Sequence, residues 1–426
     1  MRGREACASL CAAMQIAPPI VLRNATLIDG TGADPRPGVS VQVAEGRIAQ
    51  TGADLKAGEG RDIDLSGCFL LPGLTDAHVH LGLTEANGAP TQPWAEWASR
   101  VTEFLGHALD QGFTTVRDAG ALEPAWARVV EKGLVRGPRL LPSGAFISQT
   151  GGHGDWRASY QQQDVIEPVP GLFSGYVLAD GADAVRKAAR EELRRGATQI
   201  KVMASGGVAS PTDPIDGTQF SLDELRAAVE EAEARGTYVL AHAYHPKSIA
   251  RCLDAGIRSI EHGNLLDEET AARMAKEGAF LVPTLITYDV LAEGGEKLGF
   301  SSYQVKKLHQ VWKAGEEAVR MAAAAGVKIG SGSDLLGPAM ALKARELVIK
   351  ARILSPMAAI VSATRTNAEL FGMAGEIGTV EAGKIADLVA FDRDPLTQPE
   401  ALADAERVRL VVKGGGVVKD LDGRAA

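Results

Sequence analysis

The stretch GCFLLPGLTDAHVHL, residues 67–81, is an apolar run that ends in polar residues. Such a run is typical of a strand buried on both faces of a parallel sheet. Side chains alternate along a strand, so His78 and His80 share one face and Val79 lies on the other. Two imidazoles on one face, with Asp76 two residues earlier, could bind a metal ion, or they could be core histidines with satisfied hydrogen bonds.

Seven further runs of this kind follow, and helical patterns separate them. The runs lie at residues 113–120, 139–148, 198–205, 237–244, 258–263, 279–287 and 327–334. Eight strands that alternate with helices predict an α/β fold, a (β/α)8 TIM barrel. A doubly wound open sheet is the alternative, but it usually has fewer strands, and no G-x-G-x-x-G motif opens the chain.

Two of the helical patterns carry end signals. In SLDELRAAVEEAEARG (221–236), Ser221 and Glu224 match a capping box and Gly236 is a C-terminal stop. The pattern at 355–372 opens with a serine cap, has proline at the first helical position and ends in glycine.

Both ends of the chain differ from this pattern. Residues 18–66 and 377–420 contain short alternating strands broken by Gly and Asp. Neither end is sufficient for a core of its own, so we expect them to form one small β-sandwich beside the barrel. The predicted domains are the N-terminal part of the sandwich at 18–70, the barrel at 71–372 and the C-terminal part of the sandwich at 373–422.

The composition argues against several classes of protein. The chain has 426 residues, is 45% hydrophobic and carries 45 basic against 54 acidic residues, a net charge of −9. This acidic balance argues against nucleic acid or an anionic membrane as a partner, and no apolar run is long enough for a transmembrane helix. Four scattered cysteines predict a cytoplasmic protein, and the stretch at 6–14 is at best a weak export signal.

Four of the eight histidines fall at the ends of predicted strands. His78 and His80 end the first strand, His242 the fifth and His262 the sixth, while the eighth strand ends in Asp334. In a barrel of this type, those strand ends converge on the face that carries the active site. Nitrogen and oxygen donors without a thiolate suit zinc, or manganese or cobalt. The sequence therefore predicts a metal site.

Lys201 lies within the apolar fourth strand, in QIKVMAS. A bare cation is costly to bury there, so this lysine must be paired, deprotonated or modified. The residues alone leave these three alternatives open.

The chain resembles the amidohydrolase superfamily over nearly its whole length. HVH, IKVMASGG, LAHAY, IEHG and GSGSD occur in the order expected there, and GTVEAGKIADLVAFDRDP resembles the C-terminal sandwich segment. The resemblance implies that Lys201 carries a carboxyl group from carbon dioxide and that this carbamate bridges two divalent metal ions, with Zn2+ expected. A structural ion pair is the alternative for this lysine. The other ligands implied are His78, His80 and Asp334 for the first metal, and His242 and His262 for the second.

Such a pair of metals predicts a hydrolytic mechanism. Two metals about 3.5–4 Å apart lower the pKa of a bridging water, and the resulting hydroxide attacks a polarised carbonyl. Asp334 can then accept the proton of the nucleophile and pass it to the leaving nitrogen.

Two more stretches indicate one branch of the superfamily. SQTGGHGDW (148–156) and AHAYHPKSI (241–249) resemble the branch that contains Xaa-Pro dipeptidases, carboxypeptidase-like enzymes and ochratoxin-type amide hydrolases. There His153 and Tyr244 are suited to hydrogen-bond the carbonyl oxygen as it gains charge, although loop ordering and packing are their alternatives. The loop at 203–221 is a predicted wall of the pocket.

The expected activity is cleavage of the amide bond of dipeptides or N-acyl amino acids by a binuclear metal enzyme. The alternatives are a lactonase or phosphotriesterase, an imidazolonepropionase or deaminase of the same superfamily, and a metal-free structural relative. The resemblance also implies a large homo-oligomer, such as an octamer.

The remaining candidates concern a substrate carboxylate. Arg117 and Lys247 could bind one, but Arg117 lies inside the second strand and is more readily structural. Three histidines are assigned to the surface or to helices: His107, His245 and His309.

Overall fold

The computed structural model describes residues 19–53, 55, 60–85, 91–162, 167–210, 212–294 and 300–424. The weak export signal at 6–14 and residue 18, where the predicted sandwich begins, lie outside these ranges. Among the helices that the ranges contain, none combines the length and apolar character that crossing a membrane requires.

The strands of the described residues are numbered in chain order. They are β1 (Ile20–Leu27), β2 (Arg36–Ala44), β3 (Arg47–Gly52), β4 (Arg61–Asp64), β5 (Phe69–Pro72), β6 (Leu74–Val79), β7 (Phe113–Asp118), β8 (Ala121–Leu122), β9 (Arg139–Pro142), β10 (Phe146–Ser148), β11 (Phe173–Leu178), β12 (Ile200–Met203), β13 (Val239–Ala243), β14 (Ser259–His262), β15 (Phe280–Val282), β16 (Lys328–Ile329), β17 (Leu388–Phe391), β18 (Val408–Lys413) and β19 (Gly416–Asp420).

The α-helices are numbered in the same way. They are α1 (Trp94–Asp110), α2 (Ala125–Glu131), α3 (Ala182–Arg195), α4 (Leu222–Ala234), α5 (Pro246–Asp254), α6 (Glu268–Glu277), α7 (Leu285–Gly294), α8 (Ser302–Ala325), α9 (Arg345–Ile353), α10 (Pro356–Val361) and α11 (Asn367–Leu370). Short 3-10 helices span Gly337–Leu342, Pro399–Ala403 and Ala405–Arg407.

Both ends of the chain meet in one eight-stranded sheet. Its order is β19-β18-β17-β5-β1-β2-β3, with β4 paired to β1. The antiparallel pairing of β17 with β5 joins the two ends, and side chains such as Leu22, Leu388 and Leu410 pack in one core. The ends therefore share a core, as expected, while their description as a sandwich and the domain boundaries stay predictions.

The middle of the chain forms parallel strands separated by helices. One sheet has the order β16-β15-β14-β13-β12-β10-β11-β8 and another the order β6-β7-β9. Strands β12, β13 and β14 are parallel and buried along their whole length, because helices cover them. The α/β class is confirmed, and closure of these strands into one barrel stays a prediction.

The stretch 67–81 forms two strands instead of the single strand that the sequence predicts. Strand β5 belongs to the sheet of the chain ends and β6 to the parallel strands. Gly73 lies between the two strands. A side chain does not fit at this position, because a Cβ would lie 2.2 Å from Thr114 Oγ1. The apolar run thus carries the chain from one sheet into the next.

The predicted third strand, 139–148, is also divided. Its first half, β9, pairs with β7, and its second half, β10, pairs with β11 and β12. Strand β9 ends at Pro142, which has no backbone N–H for a sheet. The sequence did not predict β11, which extends the sheet beside β10.

The N-terminal caps of two helices lie where the sequence predicts them, unlike the strands just described. At the start of α4, Ser221 and Glu224 form the predicted capping box. The segment 355–372 begins at the Ser355 cap as predicted, but a π-helical turn at Ser362–Thr366 separates α10 from α11.

An ion pair joins the sheet of the chain ends to the parallel strands. Arg139 Nη1 lies 2.7 Å from Asp387 Oδ2, and Gly414 N donates to Asp387 Oδ1 at 2.7 Å. The Asp387 backbone oxygen accepts from Gly73 N at 2.7 Å. Asp387 is therefore a buried junction between the two parts of the fold.

Replacing Asp387 with Asn should lower the free energy of unfolding by about 1–3 kcal/mol, because a charged hydrogen-bond acceptor is lost from a buried site. Urea or thermal unfolding of the variant beside the wild type measures the change. Asp254→Asn, which removes an exposed partner of Arg273, is the control and should change stability by less than about 0.5 kcal/mol. Equal losses in the two variants would contradict this prediction.

Candidate active site

Three predicted metal ligands form a cluster of donor atoms. His78 Nε2 and His80 Nε2 lie 3.3 Å apart, and Asp334 Oδ1 lies 3.5 Å from the first and 3.3 Å from the second. One possible donor atom from each of the three lies within 4.8 Å of the others. The structure therefore brings together the three residues that the resemblance assigns to the first metal besides the bridging Lys201.

Asp76 does not join this cluster but holds its backbone. The Asp76 carboxylate accepts from the backbone N–H groups of His78 and Ser333, both at 3.1 Å, and from Ser333 Oγ at 2.6 Å. Asp334 N donates to His78 O at 2.8 Å, and Asp334 adopts a φ of +52°, which is unfavourable for a residue with a side chain. Asp76 thus fixes two chain segments that carry the cluster and is not itself placed as a ligand.

The two histidines predicted for the second metal lie beside the cluster. The ring centroid of His262 is 5.1 Å from that of His78 and 4.5 Å from that of His242. His262 Nδ1 lies 3.8 Å from Asp334 Oδ2. All four predicted imidazoles therefore lie at one end of the parallel strands.

Each of these imidazoles has one ring nitrogen held from outside the cluster, which leaves the other nitrogen for a metal ion. The partners are Glu261 Oε2 for His78 Nδ1 (2.7 Å), Gly120 O for His80 Nδ1 (3.0 Å), Gly206 O for His242 Nε2 (3.1 Å) and Thr284 Oγ1 for His262 Nδ1 (2.8 Å).

Burial sets the charge states of the site. It lowers the pKa of His262 to about 3 and the pKa values of His78 and His242 well below the usual range, so these rings are neutral, as metal binding requires. Burial opposes ionisation of Asp334, but its pKa still lies below the usual range. Asp334 is therefore a carboxylate.

Lys201 lies on β12 and is fully buried, with a residue exposure of 1%. Burial lowers the pKa of Lys201 to about 8, although the charges of Glu261 and Asp334 act in the opposite direction. A fraction of Lys201 is therefore a neutral amine near physiological pH. The structure places Lys201 in the electrostatic field of the cluster, and its modification stays a prediction.

His153 and Tyr244 flank His242. The His153 ring stacks on the His242 ring at a centroid distance of 4.3 Å, and the Tyr244 ring lies 4.7 Å from it. Burial lowers the pKa of His153 to about 4 and raises the pKa of Tyr244 above the usual range. At neutral pH the histidine is thus uncharged and the tyrosine can donate its proton to a hydrogen bond.

Tyr288, on α7, is a residue of the site that the sequence reasoning missed. Its hydroxyl donates to the Tyr244 hydroxyl at 2.9 Å, and both rings are buried. The sequence predicted a strand over 279–287, so a tyrosine one position beyond it gave no signal.

The loop after β12 packs against His153, as its predicted role in the pocket wall requires. His153 Nδ1 lies 2.9 Å from Ser210 Oγ, and His153 N donates to Gln219 Oε1 at 2.9 Å. A Cβ on Gly207 would come within 2.1 Å of the His153 ring, so only glycine fits there. Lys307 Nζ on α8 donates to three backbone carbonyls of this loop, at 2.6, 2.8 and 3.1 Å.

Neither candidate for a substrate carboxylate is placed to bind one. Arg117 is fully buried, and its Nη2 lies 2.8 and 2.9 Å from the two carboxylate oxygens of Glu261. Lys247 lines an exposed groove with Arg251 and Asp254 instead of the histidine cluster. The structural interpretation of Arg117 is therefore confirmed.

Of the three histidines left outside the site, two are exposed on helices. These are His107 on α1 and His309 on α8. The assignment of His245 to the surface is wrong, because this residue is buried where α5 begins. Within the part of the chain that the structure describes, its Nε2 has no hydrogen-bond partner.

Comparison with known proteins identifies the family of this chain. The profile of the amidohydrolase family matches residues 69–418. Ochratoxinase of Aspergillus niger is 33% identical over 368 residues, which cover 82% of this chain and 75% of the relative.

Two solved structures are similar over nearly the whole chain. A prolidase crystallised with N-methylphosphonate-L-proline is 43% identical, with a TM-score of 0.89 over 94% of this chain and 100% of the prolidase. An Xaa-Pro dipeptidase with bound methionine is 30% identical, with a TM-score of 0.85 over 94% of this chain and 100% of the dipeptidase. The family and these structures imply a TIM barrel with an added sandwich. The chain belongs to the amidohydrolase family, and it is a metal-dependent hydrolase that acts on amide bonds.

Proposed function

We propose that this hydrolase uses two divalent metal ions to release a C-terminal amino acid from a dipeptide or an N-acyl amino acid. The observation that carries the proposal is the set of four imidazoles and one carboxylate at a single end of the parallel strands, with a lysine buried in the adjacent strand β12. Relatives named for Xaa-Pro dipeptides and for ochratoxin support this substrate class.

The donor set fits metal ions of the zinc type, because it consists of imidazoles and a carboxylate with no thiolate. When bound, such ions polarise a carbonyl oxygen and lower the pKa of water towards neutrality. The residues that would hold them are His78, His80 and Asp334 for one ion and His242 and His262 for the other, with Lys201 between the two.

Lys201 would act as a carbamate. Its neutral Nζ attacks carbon dioxide, forms an N–C bond and loses one proton to solvent, which leaves an anion with two donor oxygens. Burial favours the neutral amine from which this reaction starts. The lysine would then contribute a negative charge where a bare ammonium would repel metal ions.

Asp334 and Tyr244 would carry the proton and charge transfers at the substrate. Asp334, ionised before the reaction, can take a proton from the attacking water and return it to the leaving nitrogen. Tyr244 accepts a hydrogen bond from Tyr288, so its own hydroxyl proton is free for the carbonyl oxygen as that oxygen gains charge. Ser210 Oγ donates to Gly207 O at 3.1 Å, so it accepts from His153 Nδ1–H and leaves Nε2 of the neutral ring as a hydrogen-bond acceptor.

Lys201→Ala tests the bridging role. The wild type should hold about two zinc ions per chain, and the variant should lose both the second ion and the activity, because no bridging anion remains. Elemental analysis after dialysis and the rate of substrate cleavage measure the two effects. Lys247→Ala, which removes an exposed lysine, should change neither. A wild type with one metal, together with a fully active Lys201→Ala variant, would exclude the binuclear mechanism.

Tyr244→Phe should lower kcat by about 100-fold without changing the metal content, because it removes a donor to the developing negative charge. Tyr288→Phe should have a smaller effect in the same direction, since it only frees the Tyr244 hydroxyl to rotate. Steady-state kinetics and metal analysis of both variants provide the test. Unchanged kcat in Tyr244→Phe would leave packing as the role of this side chain.

A substrate screen tests the proposed specificity. Zinc-loaded, bicarbonate-treated protein should cleave at least one class among Xaa-Pro, Xaa-Arg, Xaa-Lys and N-acyl aromatic amino acids, detected by mass spectrometry. Lactones, phosphotriesters and cyclic amides belong in the same screen. Cleavage of these compounds with none of the dipeptides or N-acyl amino acids would show that the substrate assignment is wrong.

A further inference from the structure

A buried ion pair lies beside the histidine cluster and contacts His78. Arg117 on β7 and Glu261 on β14 are both fully buried, and Arg117 Nη2 lies 2.8 and 2.9 Å from the two Glu261 oxygens. Glu261 Oε2 also lies 2.7 Å from His78 Nδ1. The ion pair is thus continuous with the first predicted metal ligand.

The position of the ion pair is determined from several sides. Ser259 Oγ donates to Glu261 Oε1, and Arg117 Nη1 donates to the same Ser259 Oγ at 3.3 Å. The guanidinium carbon of Arg117 lies 5.9 Å from the centre of the Tyr238 ring and 6.0 Å from that of Phe371. Both side chains of the pair are fully buried.

This arrangement prevents Glu261 from acting as a ligand itself. Arg117 engages both of its oxygens, and the remaining capacity of Oε2 is directed at His78 Nδ1. The carboxylate can only accept, so the proton of the neutral ring lies on Nδ1 and the lone pair on Nε2. Nε2 is the atom that lies among the donor atoms of His80 and Asp334.

His78 differs from His80 in this respect. His80 Nδ1 lies 3.0 Å from the backbone oxygen of Gly120, a neutral acceptor, whereas His78 has a carboxylate. A charged acceptor raises the donor strength of the imidazole more than a carbonyl does. The positive charge of Arg117 balances the negative charge of Glu261, so the ion pair adds no net charge to the site.

We propose that Glu261, fixed in place by Arg117, is a positioning residue that presents His78 Nε2 to the first metal ion and sets the affinity for that ion. The proposal rests on the proposed function, because it presumes the metal site described there. Glu261 acts on the first metal site through its contact with His78 Nδ1, and its charge also acts on Lys201.

Glu261→Gln is the direct test. Gln keeps the shape of the side chain but loses its charge, so zinc affinity, measured by competition with a chelator, should fall by about 10–100-fold. The visible absorption spectrum of the Co2+-substituted protein should change in the same variant, because the geometry at the His78 ligand changes.

Asp387→Asn is the matched control, because it also breaks a pairing between an arginine and a buried carboxylate, but far from the histidines. It should lose stability and retain the zinc affinity and Co2+ spectrum of the wild type. The double variant Arg117→Gln, Glu261→Gln replaces the ion pair with two neutral amides, which leaves no buried charge uncompensated if the single variant fails to fold. It should show the same loss of zinc affinity as Glu261→Gln.

The outcomes separate the two proposals. Wild-type zinc affinity in the Gln variants would overturn the role of Glu261 and leave the proposed function intact. An equal loss of affinity in Asp387→Asn would also overturn that role, since the loss would then follow stability. A wild type that binds no divalent metal would overturn the proposed function and this inference with it.

Discussion

The site depends on the carboxylate of Asp76, which bonds to the backbone of two segments that are far apart in sequence. It accepts from the N–H of His78 and from that of Ser333, and Lys343 Nζ lies 3.5 Å away as a buried counter-charge. Because these hydrogen bonds fix the backbone at His78 and Ser333, they also fix the positions of the ligand side chains on the two segments. The positive φ of Asp334 is maintained by these contacts, and the cluster of donor atoms results from them.

Burial has different effects on the charge states of the groups near Asp76. Burial keeps His78, His242 and His262 neutral and favours a neutral Lys201, whereas Asp334 stays ionised. The buried pair of Arg117 and Glu261 retains both of its charges because each compensates the other. The same low-polarity environment thus yields neutral donors, one reactive amine and one general base.

Much of this organisation could be predicted from the sequence because the motifs lie at strand ends. Alternation placed His78 and His80 on one face, and the odd position of Lys201 in an apolar strand marked it for a special role. Glu261 is likewise a charged residue within the buried strand β14, but its role depends on a distant residue. Its partner Arg117 is 144 residues away in the chain, and one sequence does not reveal a pairing of that separation. The divisions at Gly73 and Pro142 were missed because they depend on which sheet each half joins.

Lys307 has a consequence for the thermodynamics of substrate binding. Its ammonium group donates hydrogen bonds to three backbone carbonyls of the loop after β12 and so attaches that loop to α8, the long helix Ser302–Ala325. The conformational entropy of that loop is therefore lost when the chain folds and not when a ligand arrives. Because the loop is already ordered, less of the free energy of substrate contact is spent on ordering it, and binding is tighter. The ordered loop also keeps His153 stacked on His242 before a substrate binds.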